Sequence, residues 1–173
     1  MTDYRSNNIS KILYNYFPVI LLFISVMNHF DFNNIQIKFL AFNFSYILIF
    51  FYTLKRKDAI GYVSLFVAGV FNDVIIGLPM GISSIFFLLL CGFASYLRNI
   101  TLRPNLIKDW IYFLVTLLIL NSLSYISLAF IFEYDINFID SMISTSSTFF
   151  FYIIFTYIFN FIENFFRGFR NAE

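Results

Sequence analysis

Charge constrains this chain more than any other feature, because there is little of it and it falls in few places. Of 173 residues, 12% are charged and 60% are hydrophobic. The charged positions cut the sequence into six mostly apolar stretches, at about 12–28, 37–54, 60–76, 79–97, 111–132 and 142–163. A bilayer core about 30 Å thick asks for roughly 20 apolar residues per helix, and each stretch is close to that length. The sequence therefore predicts an all-α membrane protein with six transmembrane helices in one bundle, residues 1–173 forming a single integral membrane domain. With 27 Phe and 12 Tyr among the apolar residues, a water-soluble fold of this size lacks the interior to hide them. A soluble enzyme is thereby excluded, and so is disorder, whose mark is low hydrophobicity.

The basic residues set the orientation. Arg5 and Lys11 precede the first stretch. Lys55, Arg56 and Lys57 lie between the second and third, Arg98, Arg103 and Lys108 between the fourth and fifth, and Arg167 and Arg170 after the sixth. With six crossings, all of these fall on one side, leaving Lys38 at the edge of the segment 29–36 as the exception. The segment 133–141 carries Glu133, Asp135 and Asp140 instead. Cytoplasmic loops are the ones enriched in Lys and Arg, so both termini are expected in the cytoplasm. The first stretch ends in Met27-Asn28-His29 without a small-residue cleavage site, so it reads as an uncleaved anchor, kinked at Pro18. The longest loop, about 98–110, is too short for a domain. The protein is thus expected to act inside the membrane or at its faces, through partners.

Asp73 stands out within the apolar stretches. It lies four residues before Gly77, or about 6 Å below the turn at about 1.5 Å per helical residue. A carboxylate at a helix centre costs roughly 2.5–3.5 kcal/mol on insertion scales, less at shallower depth. Gly77 and Gly81 suit a tight turn with unusual backbone angles, and Pro79 suits the first turn of the next helix. That helix's N-terminus presents unpaired N–H groups and a positive dipole end, which can hold Asp73 from across the turn. Asp73, with Asn72 beside it, either pins the hairpin together or forms a substrate, ion or proton site.

Other features read more plainly. Gly61, Ala68, Gly69, Gly92 and Ala94 are candidates for close helix packing. Asn121, Ser124 and Ser127 share one helix face, as do Thr148, Tyr152, Thr156 and Asn160. Interhelical hydrogen bonding is the expected role for both sets, a polar cavity the alternative. His29 near Asp31 reads as interfacial, and Glu163 with Arg167 four residues on as an exposed i, i+4 pair. Tyr14, Tyr16, Tyr52, Tyr96, Trp110 and Tyr112 read as an aromatic belt at the cytoplasmic face. One cysteine, Cys91, and one histidine leave no disulfide framework and no His- or Cys-based metal site. No P-loop, G-x-S-x-G, H-E-x-x-H or C-x-x-C pattern occurs. No catalytic residue, cofactor, metal or nucleic-acid partner is expected.

The stretch from Ala68 to Ile82 resembles the signature of the rod shape-determining protein MreD family: a Gly, then an Asp, then Gly-x-Pro-Leu-Gly opening the next helix. Here Asn72, Asp73, Gly77, Pro79 and Gly81 are the matching positions, and Met80 stands where the family has Leu. Chain length, cytoplasmic termini and a basic loop from Arg98 through Arg103 to Trp110 are also similar. The resemblance implies a non-enzymatic, multi-pass protein of the bacterial inner membrane. It would bind MreC, and through it MreB, RodA and penicillin-binding protein 2, to assemble or regulate lateral peptidoglycan synthesis in the elongasome. The family is similar in fold to the substrate-binding S components of energy-coupling-factor vitamin transporters, so a small-molecule-binding transporter subunit is the alternative. A self-sufficient channel would need a polar pore lining, for which one buried acid is thin support.

Overall fold

The computed structural model describes residues 3–27, 42–56, 59–101, 105–131 and 138–171. His29, Asp31, Lys38, Lys57, Arg103, Glu133 and Asp135 lie outside them, as does the first part of the second predicted stretch. Among the described residues the chain is all-helical. The helices are α1 (Asp3–Met27), α2 (Phe44–Lys55), α3 (Tyr62–Ile76), α4 (Ile82–Ile100), α5 (Leu106–Ile126) and α6 (Phe138–Asn171). A π-helical turn, Ser127–Ile131, continues α5. Ile82–Ile100, Leu106–Ala129 and Phe138–Phe165 are long and apolar enough to cross a membrane, while Tyr14–Met27, Phe44–Lys55 and Tyr62–Ile76 are apolar but shorter.

The helix ends differ from the apolar stretches for identifiable reasons. Helix α1 begins well before the first stretch, because the polar segment from Asp3 to Lys11 contains no helix breaker and simply continues the helix. Pro18 sits inside α1, where the run of helix on either side is unbroken. Asn43, expected within a span, instead precedes α2 at its N-cap. Helix α4 starts at Ile82, so Pro79 lies in the preceding turn and not in the first helical turn. The intervening Gly81 adopts a left-handed conformation that no helix can continue through.

Helix α4 organises the bundle. It packs against α3, α2 and α5; α1 covers α2 and α3, and α6 closes on α5 and α2. Burial separates the helices into two kinds. In α2, every residue from Ile47 to Thr53 is buried, the pattern of a helix enclosed on all sides. In α3, only Leu65, Ala68, Gly69 and Asp73 are buried, one stripe at helical spacing. Its other face leaves Val63 77% exposed and Phe66, Phe71 and Val74 more than half so or close to it. Water would not tolerate such a surface over a whole bundle, and a hydrocarbon solvent would.

Aromatic rings fill much of the interior. Phe50, Phe113 and Tyr152 meet at the α2–α5–α6 junction, with Phe113 stacked on Tyr152 at 4.3 Å. Phe42, Phe44, Phe155 and Phe159 interlock α2 with α6. Tyr52, expected in an outer belt, is buried against Phe51 and Phe159. Being on the enclosed helix overrides its amphipathic character. Tyr16 and Tyr96 do face outward.

The small residues divide in the same way. A side-chain carbon at Gly69 would come within 2.3 Å of the Ser84 Cα on α4, whereas nothing lies within 4 Å of the same atom at Gly92. Gly69 is therefore what lets α3 and α4 touch, with the Ser84 hydroxyl donating to the Phe66 carbonyl at 2.8 Å. Gly92, expected in a helix contact, faces outward. Gly69→Ala should destabilise the fold by about 1–3 kcal/mol through overpacking against rigid backbone. Gly92→Ala should change it by less than about 0.5 kcal/mol. Unfolding of the two variants in detergent, followed by circular dichroism, checks the contrast.

Candidate functional site

The turn between α3 and α4 gathers Asn72, Asp73, Gly77, Pro79 and Gly81 into one unit. Helix α3 ends because Gly77 turns left-handed, at φ 76°. The amides of Gly77 and Leu78 then both donate to the Asp73 carbonyl, at 2.9 and 3.0 Å. Gly81 reverses the chain a second time, at φ 98°, and α4 begins. Both glycines have open space around them, so it is the backbone angle, and not crowding, that calls for glycine there.

The start of α4 carries unpaired amides, and Gly81 at its N-cap has no side chain to satisfy them. The Asp73 carboxylate does so from the other helix. One oxygen accepts from the Gly81 amide at 2.7 Å and the other from the Ser83 amide at 2.9 Å. The amide between them, Ile82, donates to the Pro79 carbonyl at 3.4 Å. Asn72 adds a side-chain bond, its Nδ2 donating to the Ser83 hydroxyl at 2.8 Å. Asp73 is 0% exposed. Its carboxylate sits at the N-terminal, positive end of the α4 dipole.

Both carboxylate oxygens are directed at main-chain donors, and no opening reaches them among the cavities described below. Ser83 and Ser84, which complete the unit, are not singled out by the sequence. Only their place in the first turn of α4, ten and eleven residues after an acid, marks them. Among the described residues no three His, Cys, Asp or Glu side chains converge to hold a metal ion.

Two chambers flank the bundle core. At the same end as the Asp73 turn, a cavity of about 210 Å³ lies between α2, α5 and α6. Asn43, Asn121, Ser124, Ser141, Ser144 and Thr148 are in its polar lining. Interhelical bonds cross this region: Ser141 donates to Asn121 Oδ1 at 2.8 Å, and the Asn43 amide to the Thr148 hydroxyl at 2.9 Å. The stripe on α6 thus splits. Thr148 lines this cavity, whereas Tyr152, Thr156 and Asn160 line a chamber at the opposite end. Ser127 lines neither.

That opposite end holds the charged residues. Glu163, expected to be exposed, is 2% exposed and reaches Lys55 at 3.5 Å and Arg56 at 3.8 Å, both at the C-terminal end of α2. The side chain of Arg167 lies outside the described residues. A buried carboxylate needs a partner, and α2 supplies two. Arg56 also covers the Tyr14 ring at 4.1 Å. Lys55 donates to Asn160 Oδ1 as well.

Comparison with known protein families, with curated proteins and with solved structures finds no match to this chain.

Asp73→Asn keeps the shape of the side chain but aims an N–H₂ at a main-chain N–H, leaving the Gly81 or Ser83 amide unpaired. It should cost about 1–3 kcal/mol. Gly81→Ala should cost about 1–2 kcal/mol by forcing a left-handed angle on a residue with a Cβ. Unfolding midpoints in detergent, compared with wild type, measure both.

Proposed function

We propose that the chain is a six-span, non-enzymatic subunit of the bacterial wall-elongation complex, similar to MreD. Both termini lie in the cytoplasm, and it sits in the inner membrane. It acts by contact, joining MreC and through it MreB, RodA and penicillin-binding protein 2. The observation that carries this reading is the engagement of Asp73 by main-chain amides. The residues that resemble the MreD signature form one hydrogen-bonded turn whose acid is engaged by four main-chain amides, two on its carbonyl and two on its carboxylate. A signature spent on architecture suits a scaffold better than a site of chemistry. The outward apolar face of α3, with Val63, Phe66, Phe71 and Val74, offers a membrane-embedded surface for a partner helix or lipid.

The alternative is a small-molecule-binding transporter subunit, and the polar cavity at the Asp73 end favours it. Its volume of about 210 Å³ falls below the roughly 300–1,000 Å³ of pockets that enclose drug-sized ligands, so a vitamin-sized ligand would require the bundle to open.

Affinity purification of the tagged chain from native membranes separates the two. The scaffold reading expects a wall-elongation protein of the MreC type, with synthases, at near-stoichiometric yield, and a reduced yield from Asp73→Asn. Recovery of an ATPase module in their place, or loss of small-molecule uptake in Asp73→Asn with the wall complex intact, would sink it.

A further inference from the structure

The chamber at the basic end of the bundle differs in chemistry from everything at the Asp73 end. Its volume is about 530 Å³, and Phe51, Lys55, Arg98, Asp109, Tyr152 and Asn160 are among its lining residues. It thus presents two cations, one acid and an aromatic wall. The cations are anchored. Arg98 donates Nη1 to the Thr53 carbonyl at 2.7 Å, and Lys55 is held by Asn160 and Glu163. The guanidinium has five donors, so one bond to a carbonyl leaves it well able to bind an anion. Asp109 is half-buried on the first turn of α5 and forms no ion pair among the described residues.

An apolar groove borders the chamber. A second opening of about 180 Å³ shares Leu106, Tyr152 and Thr156 with it and runs past Ile107, Trp110 and Tyr157 along the α5–α6 seam. Ile107 and Tyr157 are exposed on the outside of the bundle. Trp110 is fixed there, stacked on Phe149 at 4.5 Å with its indole N–H on the Phe149 carbonyl. A charged chamber carrying both signs therefore lies beside an apolar slot on the outer surface of the bundle.

We propose that this chamber binds one glycerophospholipid with a phosphate–ammonium head. The phosphodiester lies against Lys55 and Arg98, the primary ammonium against Asp109, and an acyl chain occupies the α5–α6 groove. The zwitterionic head carries no net charge, but it sets a negative phosphodiester against the two cations of the lining and a positive ammonium against its one acid. The ammonium gives Asp109 a donor that it lacks among the described residues. Basic pockets between membrane helices are suited to phospholipid heads in this way, and the apolar slot is what a water-soluble phosphate would not need. The lipid site stands whether or not the chain serves wall synthesis.

Native mass spectrometry of the full chain in detergent, titrated with phosphatidylethanolamine, phosphatidylcholine of matched chains and water-soluble glycerophosphoethanolamine, tests the assignment. Phosphatidylethanolamine should bind one to one and about fivefold to tenfold more tightly than phosphatidylcholine, whose quaternary ammonium has no N–H for Asp109. Asp109→Asn should erase that preference, and Arg98→Gln should weaken both lipids by a similar factor. Ile107→Trp, at an exposed position that needs no refolding, should weaken lipid binding by filling the groove. If Arg98→Gln fails to keep its helical content, Asp109→Asn and Ile107→Trp carry the test. Equal retention of the two lipids by wild type, or glycerophosphoethanolamine binding as tightly as the lipid, would overturn the proposal.

Discussion

The whole arrangement turns on one residue closing two helices at once. In an apolar solvent every main-chain N–H and C=O must find a partner inside the protein, and helix ends are where partners run out. The α3–α4 hairpin brings an end and a beginning together, and Asp73 serves both. Its carbonyl accepts the two amides that follow α3, and its carboxylate accepts two amides that open α4. The glycines follow from this. The chain must reverse twice within five residues to present those amides, and each reversal passes through the left-handed region at Gly77 and Gly81. Gly69 follows too, since the carboxylate reaches across only if the helices are in backbone contact one turn further down, where Ser84 sits against Gly69.

From the hairpin the constraint spreads inward. Once α3 fixes α4, α4 supplies the wall on which α2 and α5 pack. Helix α2 ends up enclosed and contributes the largest share of buried rings. The two ends of the bundle are then held by different physics. The Asp73 end uses hydrogen bonds to main-chain amides and hydroxyls, with the Asp73 carboxylate at the start of α4. The other end uses ion pairs, with Glu163 of α6 between Lys55 and Arg56 of α2, and Arg98 of α4 on the last turns of α2.

The helices, the turn and the isolation of Asp73 are legible in the sequence because each rests on local rules: apolar length, glycine at a reversal, and an acid with few charged neighbours. What is not legible depends on which helix is innermost. Tyr52 carries the composition of an interfacial residue and Glu163 that of an exposed helical acid, yet both are buried, because α2 and α6 meet at the centre and not at the rim. Gly92 and Gly69 are indistinguishable as letters, and only the side of the helix facing a neighbour separates them. Pro79 illustrates a smaller limit. Proline fits either a first helical turn or the loop before it, and the left-handed Gly81 two residues later decides for the loop. The polar stripe on α6 has the right period but serves two chambers, since a helix of 34 residues is longer than any one site it lines.

The engagement of Asp73 also bears on how such a protein can act. An acid that shuttles protons or binds an ion must lose its partners at some point in a cycle, and here that would unpair two amides in a region with no water to replace them, at about 1–3 kcal/mol each. Breaking the carboxylate bonds would also uncap α4, on which three other helices rest. A cycle routed through Asp73 would thus disturb the packing of the whole bundle at each turn. Acting by contact demands no such excursion. It leaves the hairpin closed and leaves the outward face of α3 and the charged chamber, which are lined by side chains and not helix ends, free to adapt.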